Sequence, residues 1–215
     1  MSEPVKTRAY NSSVRAQKAA DTREAILDAA RSLFVSQGYR RATVQQIAER
    51  AGVNVDTIYH AVGRKPALMR ELVETAISGR SEAVPAEQRE YVQRVRAAAT
   101  AGEKIDIYAE AISGIQQRMA PVFLALRDAA LTDEDCRKLW TTITTRRAHN
   151  MLDFAADLRA TGELREDLDD QQVADIIWSM NATEYWVLLV HERGWTPAAF
   201  QEWISDSWRR LLLAV

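Results

Sequence analysis

The side chains with the most recognisable chemistry at regular spacing lie in one stretch, TVQQIAERAGVNVDTIYHAVGRKPAL, residues 43–68. Thr43, Thr57, Tyr59, His60 and Lys65 supply hydroxyls, a phenol, an imidazole and an ammonium, with Val55 and Asp56 among them. Such groups, presented from short helices, suit the phosphates and base edges of a DNA groove. Catalytic chemistry is not spelled out anywhere else. His60, His149 and His191 stand far apart, and the chain has no H-E-x-x-H, G-x-S-x-G, C-x-x-C or phosphate-cradling glycine loop. Cys136 is the single cysteine, so it can build neither an internal disulfide nor a thiolate metal site. We expect no catalytic residue, no metal and no cofactor. A lone Glu184 or Asp153 facing a pocket keeps a small helical enzyme open as an alternative.

Positioning the groups of residues 43–68 takes two short helices and a sharp reversal. Thr43 opens the first, with Gln46 completing a capping box, and Gly52 ends it. The next runs from Asn54 to about Ala61. Gly63 breaks it, and Pro66 is tolerated in the first turn of a further helix reaching about Ser78. Ile47, Ala48, Val53, Ile58 and Leu68 can form a small core. With Ile58 turned inward, Val55, Asp56, Thr57, Tyr59 and His60 remain on the exposed side of the helix that would enter a major groove. The backbone amide of Thr43 and the arginines around it would meet phosphates. Upstream, Ala25, Ile26, Ala29, Ala30, Leu33 and Phe34 recur at helical spacing after Asp21 as N-cap, and Gly38 stops that helix. Residues 1–21, polar and mildly basic, read as a flexible arm.

Across 215 residues there are only 8 Gly and 5 Pro, and Ala, Leu, Arg, Glu and Gln recur throughout, which points to an all-α class. No apolar run approaches the ~20 residues of a membrane span, and the N-terminus lacks the apolar core of a signal peptide. A cytoplasmic protein without membrane association is expected. The net charge of -2 hides an asymmetry: residues 1–85 hold 13 Lys and Arg against 9 acids, a balance of +4, which leaves -6 for the remainder. Only the N-terminal part is suited to a polyanion. The segment GRSEAVPA, residues 79–86, reads as a boundary, giving a DNA-binding domain over 22–80 and a second domain over 81–215.

The run from Thr22 to Leu68 resembles the N-terminal domain of the TetR family. Its pattern appears as Phe34, Gly38 and Tyr39; then Thr43, Ile47, Ala48, Ala51, Gly52 and Val53; then Thr57, Ile58 and Tyr59; and finally Gly63, Lys65 and Leu68. Two positions depart from it: Ala61-Val62 stand where members commonly carry an aromatic pair, and Pro66 where they carry an acid. The resemblance implies a three-helix DNA-binding domain with a helix-turn-helix, followed by a helical bundle for ligand sensing and dimerisation. It also implies a homodimeric regulator, usually a repressor, that binds a palindromic operator in double-stranded DNA and is released by a small-molecule effector. Thr43, Thr57, Tyr59 and Lys65 then contact phosphate or backbone, while Val55, Asp56 and His60 stand where bases are read.

Beyond residue 86 the sequence alternates amphipathic helices, roughly 87–100, 103–118, 121–131, 133–160, 169–192 and 197–213. Tyr108, Ile112 and Ile115 share one face; Trp140, Ile143, Arg147, Met151 and Phe154 follow the rhythm of another; Trp178, Asn181, Ala182 and Tyr185 lie on a third. A cavity between these faces would have apolar walls, with Arg147, Asn150 and Asn181 as its polar groups, and would suit a mainly apolar effector. Residues 173–190 are apolar on more than one face, and the stripe through Phe200, Trp203 and Trp208 is about 140° wide at 3.6 residues per turn. That excess nominates Trp186, Leu189, Phe200, Trp203 and Trp208 for a dimer interface. A DNA-binding regulator that needs no ligand is the other alternative.

Overall fold

Helix-forming composition carries through to the structure with few interruptions. The computed structural model describes residues 7–79 and 84–214, with side chains from residue 14 onward. The helices are α1 Thr7–Gln37, α2 Val44–Ala51, α3 Val55–Ala61, α4 Lys65–Ser78, α5 Glu90–Ala97, α6 Ala101–Ala130, α7 Glu134–Arg159, α8 Asp170–Met180, α9 Thr183–Trp186 and α10 Pro197–Leu212. A 3-10 turn over Ala86–Gln88 leads into α5, and α9 continues as a π-helical turn, Val187–Glu192. Among the described residues there is no strand, only one isolated antiparallel bridge between Leu164 and Leu213. The all-α class is therefore as expected.

Two compact units divide inside α4, between Leu72 and Val73. In the first, α1, α2 and α3 pack on one another. Ile26, Ala30, Phe34, Ile47, Ile58 and Leu68 form its interior, all essentially inaccessible, whereas Val53 is only half-buried. Gly52 takes the left-handed conformation, φ 68°, that lets α2 stop and α3 begin three residues later; a Cβ is disfavoured there. Arg23 reaches from α1 to the Ala61 carbonyl (3.2 Å) and ion-pairs with Glu71.

The first helix starts at Thr7, not at Thr22. Residues 8–20 hold Ala, Arg, Gln and Lys, all good helix formers, and Asp21 is not a cap: its carboxylate accepts from Gln17 Nε2 at 2.8 Å, one turn back. Residues 7–21 of the expected flexible arm are thus helical, and residues 1–6 lie outside the described residues.

In the second unit α6 is the central element, packed by α5, α7 and α10, with α8 on α7. It runs unbroken through Pro121, where two helices were expected. Val122, Phe123 and Leu126 beyond the proline are as deeply buried as Ile105 and Ala109 before it, so continued burial outweighs the missing N–H. The converse happens at residues 169–192, read as one helix but broken at Asn181-Ala182. Buried Gln116 clamps the break from α6: its Nε2 donates to the Asn181 carbonyl (2.8 Å) and its Oε1 accepts from Thr183 Oγ1 (3.1 Å). Lys104, also buried, donates to the Val95 carbonyl and to Asp157, both at 2.8 Å, tying α5 and α7 to α6.

Candidate functional site

In the first unit the capping box is complete. The Gln46 amide donates to Thr43 Oγ1 (3.1 Å) and the Thr43 amide donates to Gln46 Oε1 (2.9 Å). That amide, expected on a phosphate, is therefore already engaged, while the Thr43 side chain stays exposed. On α3, Ile58 is fully buried and turns the rest of the helix outward. Asp56, Tyr59 and His60 are exposed and Val55 and Thr57 half-buried; the Tyr59 ring is 48% accessible, far too open for a core tyrosine. His60 Nδ1 is 2.6 Å from the Asp56 carbonyl, which fixes the ring against its own helix and leaves Nε2 pointing away from that bond. Lys65 Nζ lies 4.2 Å from the centroid of Tyr39, so the aromatic face holds the ammonium in place. Arg40, Arg41, Arg50 and Arg64 are exposed. The seven residues nominated from the sequence thus all belong to this unit, and all carry accessible surface, joined by four exposed cations.

The second unit holds a partly open cavity of about 360 Å³, within the usual range for small-molecule sites. Six nominated residues line it: Tyr108, Ile112, Arg147, Asn150, Met151 and Phe154. Five do not. Ile143 is buried in the packing of α7, Trp140 sits against Phe123 with centroids 4.6 Å apart, and Tyr185 is exposed beside Trp203. Trp178 and Asn181 stand one layer behind the wall, supporting Arg147. The Arg147 guanidinium lies 5.4 Å from the Trp178 ring centroid and donates to Asn181 Oδ1 and to the Trp178 carbonyl (3.4 Å). Helical spacing indicates a face but not its depth, which is why these five were included. Ile77, Arg89, Tyr91, Val92, Val95 and Met119 complete much of the lining and were missed. Tyr91, Val92 and Val95 carry helical spacing that could have signalled them, in a segment expected as an amphipathic helix but not assigned to the cavity.

Asn181 links the polar groups of this site. Its Nδ2 donates to Tyr108 Oη (2.9 Å) and to Met151 Sδ (3.3 Å), while Tyr108 Oη donates to the same sulfur at 3.4 Å. Burial pushes the Tyr108 phenol well above its ordinary range, so it stays protonated and remains a donor. Burial also draws the Arg147 guanidinium down, opposed by Tyr108 and Glu184.

The nominated interface residues separate into two groups. Trp186, Phe200 and Trp208 are 2%, 0% and 0% accessible and belong to the core of the protomer, so they are withdrawn from a contact surface. Trp208 stacks on Tyr108 (5.6 Å, 16°) and Trp186 meets Phe200 edge-on at 5.0 Å. The apolar stripe of α10 is wide because its Trp208 flank packs inward. Trp203 and Leu189 stay half-buried, next to exposed Tyr185 and Leu188. No helix among the described residues is long and apolar enough to cross a membrane, and no cluster of three or more His, Cys, Asp or Glu among them could hold a metal.

Comparison with known proteins agrees with this geometry. The sequence profile described as "Bacterial regulatory proteins, tetR family" matches residues 26–72. The uncharacterized HTH-type transcriptional regulator YvkB of Bacillus subtilis (strain 168) is 41% identical over 59 residues, which is 27% of this chain and 31% of that protein. The fold extends much further than the sequence match. The fatty acid degradation regulator FadR from Bacillus halodurans superimposes with a TM-score of 0.71 over 87% of this chain and 94% of its own, at 18% identity. FadR from Bacillus subtilis, solved in complex with stearoyl-CoA, does so with a TM-score of 0.68 over 86% and 96%, at 20% identity. At such identities the likeness of the second unit is one of fold. The helix-turn-helix of residues 43–61 and its exposed α3 face lie within residues 26–72, the stretch that matches the TetR family of bacterial regulatory proteins.

Proposed function

We propose that this chain is a ligand-responsive DNA-binding regulator, a homodimeric repressor that holds a palindromic operator and is released by a medium-sized, mainly apolar effector. The observation that carries the reading is the pair of features in one chain: an outward-facing α3 in a DNA-binding domain of this type, and a partly open cavity with an aromatic and aliphatic wall in the second unit. Val55, Asp56 and His60 read bases, while Thr43, Thr57, Tyr59 and Lys65, with the neighbouring arginines, hold phosphates. Asp56 tolerates the polyanion by accepting from a cytosine amino group. Exposed Leu188 and Tyr185, with half-buried Leu189 and Trp203, favour pairing with a second copy, since an apolar patch of this kind is better covered than solvated.

Release requires that the effector bind better to a conformation whose reading heads are misplaced for successive major grooves. Helix α4 is the candidate link, because it begins in the first unit and ends in the second. Its C-terminal half is held by residues of α6 and α7. Ile77 lines the cavity, Arg146 of the lining pairs with Glu74 at 2.8 Å, and Arg118 Nε donates to the Ala76 carbonyl at 3.1 Å. The stearoyl-CoA bound by the Bacillus subtilis FadR has a long apolar chain, which supports an apolar effector here. The test is selection of bound fragments from random duplexes by the purified protein. Enrichment of an inverted repeat, bound more weakly as salt rises, is expected; the absence of any sequence preference at moderate salt overturns the reading.

A further inference from the structure

We propose that the effector is an anion, a carboxylate on an apolar chain or ring, whose charge pairs with Arg147; this rests on the reading of the cavity as the effector site. The lining carries charges of both signs, Arg89, Arg96, Arg146 and Arg147 against Glu87, Asp153 and Asp157. Arg146 is paired with Glu74 (2.8 Å) and Asp157 with Lys104 (2.8 Å), while Asp153 is largely solvated, with His149 3.9 Å away. Arg147 differs. Among the described residues its guanidinium meets only neutral acceptors, Asn181 Oδ1 and the Trp178 carbonyl. The carboxylate it senses electrostatically, Glu184, is bound to Arg127 at 2.7 Å. A partly buried cation without a counter-ion costs free energy that an anion brought by a ligand would recover.

Donors also exceed acceptors around it. Tyr108 lines the same cavity and spends its O–H on a thioether sulfur 3.4 Å away, a weak acceptor that a carboxylate oxygen would displace. Behind the wall, the indole N–H of Trp178, whose ring lies under Arg147, is buried with no hydrogen-bond partner. Arg147 and Tyr108 are joined through Asn181, so one anionic head can address both. Ile112, Met119, Val92 and Phe154 supply apolar wall for a chain or ring. A cation is the competing occupant, because Tyr91, Tyr108 and Phe154 present neighbouring aromatic faces, with centroids 6.3 and 5.0 Å apart. Unpaired Arg147 repels it.

Isothermal titration of the full-length protein with decanoate, decanol and decyltrimethylammonium, and with 4-phenylbutyrate and 4-phenylbutanol, all below their micelle concentrations, tests this directly. Each carboxylate should bind roughly ten-fold or more tightly than its alcohol, as a charge-assisted hydrogen bond to a guanidinium implies. In Arg147→Met that ratio should fall to within about two-fold, and Arg147→Lys should restore most of it. Wild-type protein that binds alcohol or ammonium as tightly as carboxylate overturns the anion while leaving the cavity reading in place, and needs no variant to fold. A ten-fold preference surviving in Arg147→Met also overturns it. If no probe of any charge binds, the effector-cavity reading itself fails, and this inference with it.

Discussion

Replacing Asn181 by alanine removes one small side chain and three hydrogen bonds. Asn181 is 2% accessible; Oδ1 accepts from Arg147, and Nδ2 donates to Tyr108 Oη and Met151 Sδ. Ordinary neutral bonds contribute about 1 kcal/mol net and one to a charged group about 1.5–3 kcal/mol. The sulfur bond adds little, and half-buried Arg147 can turn partly to water or to the Trp178 carbonyl, so the loss should be about 2–3 kcal/mol rather than the full sum. The backbone bond from Gln116 to the Asn181 carbonyl survives, so the α8–α9 break should persist. For a chain of this size each kcal/mol corresponds to about 2–4 °C, giving a fall in Tm of about 4–12 °C. Urea titrations followed by far-ultraviolet circular dichroism measure the free energy. Tyr108→Phe combined with Asn181→Ala completes a double-mutant cycle with an expected coupling near 1 kcal/mol. A loss under about 0.5 kcal/mol, or strict additivity, would refute the view that Asn181 organises the cavity's polar groups.

Lys65→Ala should weaken binding to all duplexes alike and lower the slope of affinity against salt by about one unit, whereas His60→Ala should alter preference among bases by about 1–3 kcal/mol. Gel shifts on the selected site and on scrambled duplexes separate the two. Leu188→Glu should raise the dimer dissociation constant at least about thirty-fold in sedimentation, since a charge there meets an apolar partner. Trp208→Glu should instead abolish folding of the subunit, because its position is inaccessible. The Arg209 guanidinium, with Ser205, holds the Asp106 carboxyl below its ordinary range and ties α10 to α6. A carboxyl with a depressed folded-state pKa stabilises above the unfolded value, about 4, and loses that contribution as pH falls through the lower folded value. Wild-type protein should therefore exceed Asp106→Asn by no more than about 1 kcal/mol at neutral pH, the pair being half-exposed, with the gap closing in acid melts.

Local patterns make the first unit legible in the sequence alone. Thr43 with Gln46, and Gly52 followed by Val53 and Ile58, are short-range signals, and each is met within a few residues of chain; burial of Ile58 alone decides which side chains of α3 face outward. Composition also favours helix in residues 7–21, but the absence of an apolar face there suggests a flexible arm. In the second unit periodicity located the helices without revealing what covered them. Trp203 and Trp208 carry the same signal in sequence, yet Trp208 is sealed beneath Tyr108 and Trp203 is half-exposed, because α10 packs on α6 through one flank only. Pro121 and Asn181 reversed their expected effects for a similar reason. Buried neighbours held α6 straight through a proline, and Gln116, 65 residues away along the chain, stabilised a break in an otherwise helical run. Arg147 was recognisable from its spacing as a polar group on an apolar face. That it has only neutral acceptors, whereas Arg146 beside it has a carboxylate, depended on where the two side chains pointed on α7 relative to α4 and α8, and tertiary packing alone decided that.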